Sequence, residues 1–154
     1  MRATPPQLRS IPQSQELPGV DSGYWQPSKR SRQSVLVVDD DPDVRTMLRQ
    51  ILEQDGYSVR EASDGVEALA VLETEQIGVL ITDLYMPRMD GFELLRRVRS
   101  GALVPRLVAM SGVVDFHTKP SESEAAVLLS THAILDKPFT RRQLMSAVAE
   151  PEIL

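Results

Sequence analysis

Short apolar runs alternate along the chain with longer segments in which apolar residues recur every three or four positions. Residues 35–38 are apolar without a break, which is typical of a parallel strand buried on both of its faces. The segment that follows carries Val44, Met47, Leu48, Ile51 and Leu52 at helical spacing. The same alternation continues to the end of the chain, and it predicts five strands, at 35–38, 57–62, 77–83, 106–111 and 133–136.

Five helices are predicted, one after each strand. The first begins at Pro42 with Asp41 as its N-cap and ends near Gly56, and the last is capped by Thr140. Regular alternation of strands and helices predicts an α/β fold with a doubly wound parallel sheet and right-handed crossovers. In such a sheet the carboxyl ends of the strands meet at one crevice, which is where ligands bind.

Charge and proline content separate the first 33 residues from the rest of the 154-residue chain. Residues 1–33 hold five Lys/Arg, two Asp/Glu and five of the eleven prolines, whereas the other 121 residues hold twelve Lys/Arg and twenty Asp/Glu. A Pro-, Gln- and Ser-rich segment with few apolar residues cannot offset its ordering entropy by burial. We therefore expect a disordered or loosely attached arm at 1–33, one compact domain at 34–150 and a short end at 151–154.

Composition excludes several classes of protein. The chain has no cysteine, which removes disulfides and Cys-based zinc sites, and its two histidines are too few for a His-rich metal site. No apolar run approaches membrane-spanning length, and the start of the chain lacks the apolar core of a signal peptide. We expect a cytoplasmic protein without a membrane partner.

Polar side chains with complementary chemistry follow four of the predicted strands. They are Asp39 and Asp40, Asp83, Ser111 and Lys137. Carboxylates that share a crevice repel one another, so they require a cation, and carboxylate oxygens with water are ligands that Mg²⁺ prefers. A divalent cation, an ammonium group and a hydroxyl donor together match a phosphoryl group bound to, or passing to, a carboxylate. The pattern predicts a Mg²⁺ site that handles a phosphoryl group.

Four sequence strings make the pattern specific. The strings VLVVDDDPDVR, ITDLYMPRMDGFELLRRVR, LVAMSG and LDKPF occur in this order, each at the end of a predicted strand. Over residues 34–149 the chain resembles the receiver domain of two-component response regulators, and in particular the single-domain, chemotaxis-regulator-like members. The resemblance implies a flavodoxin-like (βα)5 fold with strand order 2-1-3-4-5.

The resemblance also implies roles for individual residues. Asp83 matches the phosphoacceptor, while Asp39, Asp40, Asp83 and the backbone carbonyl of Tyr85 match the Mg²⁺ ligands. The phosphoryl donor is then a histidine kinase or a histidine phosphotransfer protein. The protein is not a conventional enzyme, since its chemistry is limited to its own phosphorylation and dephosphorylation at Asp83.

The remaining matched positions concern the phosphoryl group and the switch. Lys137 matches the residue that contacts phosphoryl oxygens, Ser111 the hydroxyl that donates to them, and Pro138 a proline preceded by a cis peptide bond. The position at which this family usually carries an aromatic switch residue is occupied by Ile134, which has no hydroxyl group. Together with a stretch at 113–120 that is longer than usual, this departure predicts altered partner selection rather than lost phosphorylation.

The expected output is docking to a downstream protein of unknown identity. The acidic balance of residues 34–154 opposes binding to a nucleic acid, and the residues after Phe139 suffice for only one more helix. The protein is expected to be a monomer or a phosphorylation-dependent dimer. In the predicted arm, the adjacent Tyr24 and Trp25 fit either a docking motif or chance composition, and chance is the simpler explanation.

Two alternatives remain open at this stage. One is a receiver-like interaction module that no longer uses phosphate, which Ile134 favours weakly. The other is a phosphatase of the haloacid-dehalogenase type, in which Asp39 would be the nucleophile and Asp41 the acid/base. The phosphatase alternative leaves Asp83 and the stretch LYMPRMDG without a role.

Overall fold

The computed structural model describes residues 34–112 and 119–149. The predicted arm at 1–33, the short end at 151–154 and most of the stretch at 113–120 lie outside the described residues. So do Tyr24, Trp25 and His117. Within the described ranges every helix is too short or too polar to cross a membrane.

Five parallel strands form one sheet in the order β2-β1-β3-β4-β5. This order confirms the doubly wound fold and the topology that the resemblance implied. β1 and β3 lie side by side at the centre, so their carboxyl ends are neighbours. The strands are β1 (Ser34–Val38), β2 (Ser58–Ala62), β3 (Val79–Asp83), β4 (Arg106–Ser111) and β5 (Ala133–Asp136).

Five helices cover the two faces of the sheet. Each begins at a polar side chain that accepts a hydrogen bond from a backbone N–H of the first turn, which satisfies a donor that the helix itself leaves free. Asp41 and Thr140 act as caps, as predicted. The helices are α1 (Pro42–Gln54), α2 (Gly65–Thr74), α3 (Gly91–Arg99), α4 (Glu122–Leu129) and α5 (Arg141–Val148).

The sheet separates two hydrophobic clusters. Side chains of successive strand residues point to opposite faces, so Val35 and Val37 pack with α1 and α5, whereas Leu36 and Val38 pack with α2, α3 and α4. β1 and β3 are buried throughout except at Ser34, because helices cover both of their faces. This packing holds the carboxyl ends of the central strands in fixed positions.

The structure differs from the predicted pattern in a few places. β2 begins at Ser58 rather than Tyr57, and β3 begins at Val79 rather than Ile77, because strand pairing with β1 starts only at Ser34 and Val35. Met47, predicted on the buried stripe of α1, is 45% exposed.

Candidate functional site

The carboxyl ends of β1, β3 and β5 bring four charged side chains together. Asp39 and Asp40 follow β1, Asp83 is the last residue of β3, and Lys137 follows β5. The three carboxylates each place an oxygen within 4.8 Å of the others. Residues separated by up to 98 positions therefore meet in one crevice, as parallel strands require.

The three carboxylates differ in their exposure. Asp39 is 1% exposed and Asp83 is 9% exposed, whereas Asp40 is open to solvent. Asp39 uses one oxygen to accept a hydrogen bond from the backbone N–H of Asp41. A buried carboxylate needs such partners, because leaving an ionised group unpaired in the interior is costly.

Lys137 supplies the positive charge of the crevice. Its Nζ donates to Oδ2 of Asp39 at 2.8 Å and lies 3.6 Å from Oδ2 of Asp83. Burial by itself disfavours the ammonium ion, but the hydrogen bond to Asp39 and the charges of both carboxylates outweigh it, and the pKa of Lys137 is raised. The ammonium therefore stays charged at neutral pH and bridges two carboxylates.

Asp83 occupies a position that disfavours its charge. Burial is the largest influence and raises the pKa of Asp83, and the negative charges of Asp39 and Asp40 raise it further. The positive charge of Lys137 and the hydrogen bond from the N–H of Leu84 lower it, but the net effect is a raised pKa. Oδ1 accepts from the N–H of Leu84 at 2.9 Å, which leaves Oδ2 facing Lys137. The carboxylate is thus held in one orientation, and a cation in the crevice would offset the repulsion from its acidic neighbours.

The loop between β3 and α3 packs directly against Asp83. The N–H of Gly91 donates to the carbonyl of Leu84 at 2.9 Å. A Cβ atom at position 91 would lie 2.0 Å from the backbone oxygen of Asp83 and 2.8 Å from Cα of Leu84. Only glycine permits this approach. The side chain of Tyr85 is exposed and makes an edge-to-face contact with Phe92, with ring centroids 5.9 Å apart.

An ion pair that the sequence pattern did not predict braces the same loop. Asp64, 4% exposed, caps α2 through the N–H of Glu67, and its other oxygen accepts from Nε of Arg88 at 2.6 Å and from a second guanidinium nitrogen. The N–H of Gly65 also donates to the carbonyl of Met89. Arg88 has a left-handed backbone with φ of 66°, which is uncommon for a side chain with Cβ. Sequence offers no signal for this contact, because the partners are 24 residues apart.

Ser111 and Ile134 lie on the neighbouring strands. The Ser111 hydroxyl is half-buried at the end of β4 and donates to its neighbouring carbonyl, that of Gly112, at 3.4 Å. Its own carbonyl accepts from the N–H of Lys137 at 2.7 Å, which ties the end of β4 to the end of β5. Ile134 on β5 is 48% exposed, and the Lys137–Pro138 peptide bond is cis.

His132 makes two hydrogen bonds at the start of β5. Its Nδ1 accepts from the backbone N–H of Leu107 at 2.9 Å, and its own N–H donates to the Leu107 carbonyl at 2.8 Å. These two bonds fasten the start of β5 to β4. His132 precedes β5 and therefore lies at the end of the strands opposite to the crevice.

Comparison with known proteins agrees with this arrangement. The sequence profile of the response regulator receiver domain matches residues 35–149. An uncharacterized 14.6 kDa protein in the sodA1 3′ region of Leptolyngbya boryana is 36% identical over 123 residues, which are 78% of this chain and 90% of that protein. The response regulator MprA of Mycobacterium avium is 40% identical over 113 residues, 73% of this chain, but the chain spans only 47% of that regulator.

Solved structures show the same fold. The chemotaxis response regulator CheY4 of Vibrio cholerae superposes with a TM-score of 0.62 at 32% identity, over 74% of this chain and 93% of that one. A response regulator receiver protein from Pseudomonas putida superposes with a TM-score of 0.64 at 30% identity, over 74% and 91% of the two chains.

A five-stranded doubly wound sheet with an acidic crevice, a lysine and a hydroxyl at its carboxyl end defines a class of phosphate-handling α/β domains. Within that class, the chain belongs to the response regulator receiver domain family of two-component systems. Receiver domains of this family use Mg²⁺ at an acidic pocket and interact with histidine kinases or phosphotransfer proteins. The domain is not a conventional enzyme.

Proposed function

We propose that this receiver domain accepts a phosphoryl group on Asp83 from a histidine kinase or a histidine phosphotransfer protein. The observation that carries the proposal is the position of Oδ2 of Asp83, which lies 3.6 Å from the Lys137 ammonium in a cluster of three carboxylates. An oxygen of Asp83 attacks phosphorus, the bond from phosphorus to the donor imidazole nitrogen breaks, and the imidazole leaves with the electron pair.

The residues fit a resident Mg²⁺ ion. Asp39, Asp40 and Asp83 offer carboxylate oxygens within 4.8 Å of one another, and the chemistry of this all-oxygen set suits Mg²⁺ rather than a softer metal. We propose that these carboxylates and the backbone carbonyl of Tyr85 hold it. When bound, Mg²⁺ neutralises charge on the transferring phosphoryl oxygens.

Lys137 and Ser111 complete the proposed site. The ammonium of Lys137 stabilises negative charge on the phosphoryl oxygens, because it is already held between Asp39 and Asp83. The Ser111 hydroxyl bonds only weakly to the Gly112 carbonyl, so little is lost when it turns to donate to a phosphoryl oxygen. Water in the same site then hydrolyses the aspartyl phosphate.

Phosphorylation of Asp83 adds about 1.5 to 2 negative charges and three acceptor oxygens. We propose that Ser111 and its loop move toward this charge and that the change reaches Ile134. Since Ile134 has no hydroxyl and is half-exposed, the coupling is a change in aliphatic packing. We expect a phosphate analogue such as beryllium fluoride with Mg²⁺ to change the NMR shifts of residues 111–134, and unchanged shifts there would refute the switch.

We further propose that the signal passes to a downstream protein rather than to DNA, and that the protein works in the cytoplasm as a monomer or a phosphorylation-dependent dimer. The charge of residues 34–154, twelve basic and twenty acidic groups, supports this, because it repels a phosphate backbone. We place the functional domain at 34–150, preceded by the arm at 1–33 and followed by the end at 151–154. The exclusion of DNA is tested by measuring binding to nonspecific DNA at low and at high salt. We expect no measurable affinity at either salt concentration.

The decisive experiment is labelling with acetyl phosphate and Mg²⁺. Intact mass spectrometry should show one added phosphoryl group on the wild type, lost in neutral hydroxylamine, and none on Asp83→Asn. The matched control Asp136→Asn removes the same charge from an exposed acid without an assigned role, and it should label normally. An unlabelled wild type would favour the phosphate-independent module. Phosphatase turnover retained by Asp83→Asn would favour the haloacid-dehalogenase alternative, although the Asp41 side chain is already engaged in capping α1.

A further inference from the structure

A groove of about 1070 Å³ lies at the end of the sheet opposite to the acidic crevice. The residues just before β2, β3 and β4 line it, and so do the last turns of α2, α3 and α5. Because helices run antiparallel to strands in a doubly wound fold, these positions all belong to the amino end of the sheet. The length of the strands therefore separates the groove from the proposed phosphorylation site.

One part of the groove's rim is apolar and exposed. Leu103 is 77% exposed and Val104 is 47% exposed, and both lie on the connection between α3 and β4. Leu72 of α2 and the ring of Tyr57 lie beside them in the lining. Burial of Tyr57 raises the pKa of its phenol. Exposed large apolar residues around a concave surface are typical of a surface that another chain segment covers.

The chain enters the fold at this groove. The carbonyl of Ser34, the first residue of β1, accepts from the N–H of Gly78 at 2.9 Å, and Gly78 is part of the groove lining. Ser34 also pairs with Ser58, which follows Tyr57 of the lining. Ser34 therefore lies beside the groove, and the aromatic pair Tyr24 and Trp25 is separated from it by only eight residues of sequence. An extended chain of this length reaches about 30 Å, which is enough to cross the groove.

Charge also favours the preceding segment as the occupant. Lys29, Arg30 and Arg32 lie between the aromatic pair and β1, whereas the domain they precede is strongly acidic. Four charged residues belong to the lining. Arg97 pairs with Glu93, Glu75 pairs with Arg60, and Nε of Arg106 donates to the carbonyl of Ala147. Among the described residues Glu73 has no ion pair, so it is the acidic group that we expect a basic side chain from residue 29, 30 or 32 to meet.

We propose that the groove is an intramolecular docking site for the segment before β1, with the rings of Tyr24 and Trp25 packed against Leu103 and Val104. Aromatic side chains suit this role, because each buries a large apolar area at a low cost in conformational entropy. A short tether makes the effective concentration of the segment about millimolar, so even weak contacts hold it. The docked segment leaves the acidic crevice open and occupies the amino end of the sheet. This inference does not depend on phosphorylation of Asp83.

The single tryptophan of the chain makes the proposal directly testable by fluorescence. In the wild-type protein Trp25 emission should be blue-shifted relative to N-acetyltryptophanamide, and its quenching by acrylamide should be reduced at least twofold. Leu103→Asp should return both to the values of a solvated tryptophan. The matched control Leu129→Asp, at an 88% exposed leucine on α4, should leave both unchanged. Solvated emission in the wild type, or emission that Leu103→Asp does not change, would overturn the proposal.

Two further measurements separate folding effects and other occupants from the proposed contact. Methyl signals of Leu103 should show ring-current shifts that disappear in Trp25→Ala, a variant that leaves the described domain intact, and the absence of such shifts would also refute the contact. The blue shift should be independent of protein concentration. A shift that vanishes on dilution would mean that the segment of a second copy occupies the groove, which contradicts an intramolecular site.

Discussion

Replacing Asp83, the proposed phosphoacceptor, should stabilise the Mg²⁺-free protein. Asp83 is almost fully buried in a crevice that it shares with Asp39 and Asp40, and its raised pKa shows that the fold disfavours its charge. The substitution Asp83→Asn keeps the shape and the acceptor for the N–H of Leu84, but it removes the charge. Functional sites commonly lower stability in this way, because they are arranged for chemistry rather than for folding.

The magnitude follows from the distances. Oxygens of Asp83 and Asp39 lie within 4.8 Å of each other, so at an effective dielectric of about 20 their repulsion is at least about 3.5 kcal/mol, while attraction to Lys137 at 3.6 Å is about 4.6 kcal/mol. These two contributions nearly cancel. Repulsion by the exposed Asp40, of about 0.9 kcal/mol in water-like dielectric, and the desolvation of Asp83 remain. We expect a gain of about 1 to 2 kcal/mol in the free energy of unfolding.

The pH dependence has a definite sign. The folded state holds the Asp83 proton more tightly than the unfolded state, so the contribution of Asp83 to stability decreases as the pH rises from the unfolded to the folded pKa of this group. The advantage of Asp83→Asn should therefore be absent below the unfolded pKa, near 4, and complete above the folded pKa. Lys137 stays charged throughout this range, because its pKa is raised.

The assay is urea or thermal unfolding followed by circular dichroism in EDTA, at pH 7 and in the acid range. Each kcal/mol should raise Tm by about 4 °C for a domain of this size. Asp136→Asn is the control for net charge and should change Tm little. Added Mg²⁺ should stabilise the wild type more than Asp83→Asn, since a ligand stabilises only the state that binds it. Equal or lower stability of Asp83→Asn in EDTA at pH 7 would refute the electrostatic reasoning.

Two other predictions concern the loop beside Asp83. Gly91→Ala should lower the free energy of unfolding by about 2 kcal/mol or more and slow phosphorylation by acetyl phosphate, because the added Cβ would collide with the backbone of Asp83. The control Gly101→Ala, whose added Cβ has its closest contact at 3.2 Å, should have little effect in either assay. Arg88→Ala should lower the free energy of unfolding by under about 1 kcal/mol at pH 7, since the arginine is largely exposed. Because the fold lowers the pKa of Asp64, this loss should disappear as the pH falls through the folded pKa of Asp64. A difference in urea unfolding that does not change with pH would exclude the ion pair as its source.

Much of the fold was predictable because its signals are local. Continuous β-branched runs mark strands that are covered on both faces, and a polar cap before an apolar stripe marks each helix start. The order of elements then restricts the topology to a parallel doubly wound sheet. The sequence was enough to place Asp39, Asp83 and Lys137 at one crevice, because the carboxyl ends of parallel strands all lie at the same edge of the sheet.

The tertiary structure determined the burial and the contacts of those residues. Asp39 and Asp40 are adjacent and equivalent in the sequence, yet Asp39 is buried against Lys137 and Asp40 faces solvent, since Asp39 directly follows the buried strand β1 and Asp40 lies on the bend that leads to α1. The Asp64–Arg88 brace and the apolar groove at the amino end depend on residues far apart in the chain. Local pattern carries no information about such contacts, because they form only when packed elements bring their ends together. The sequence by itself determined the elements and the charges at the strand ends, while the packing determined burial, pairing and the pKa of Asp83.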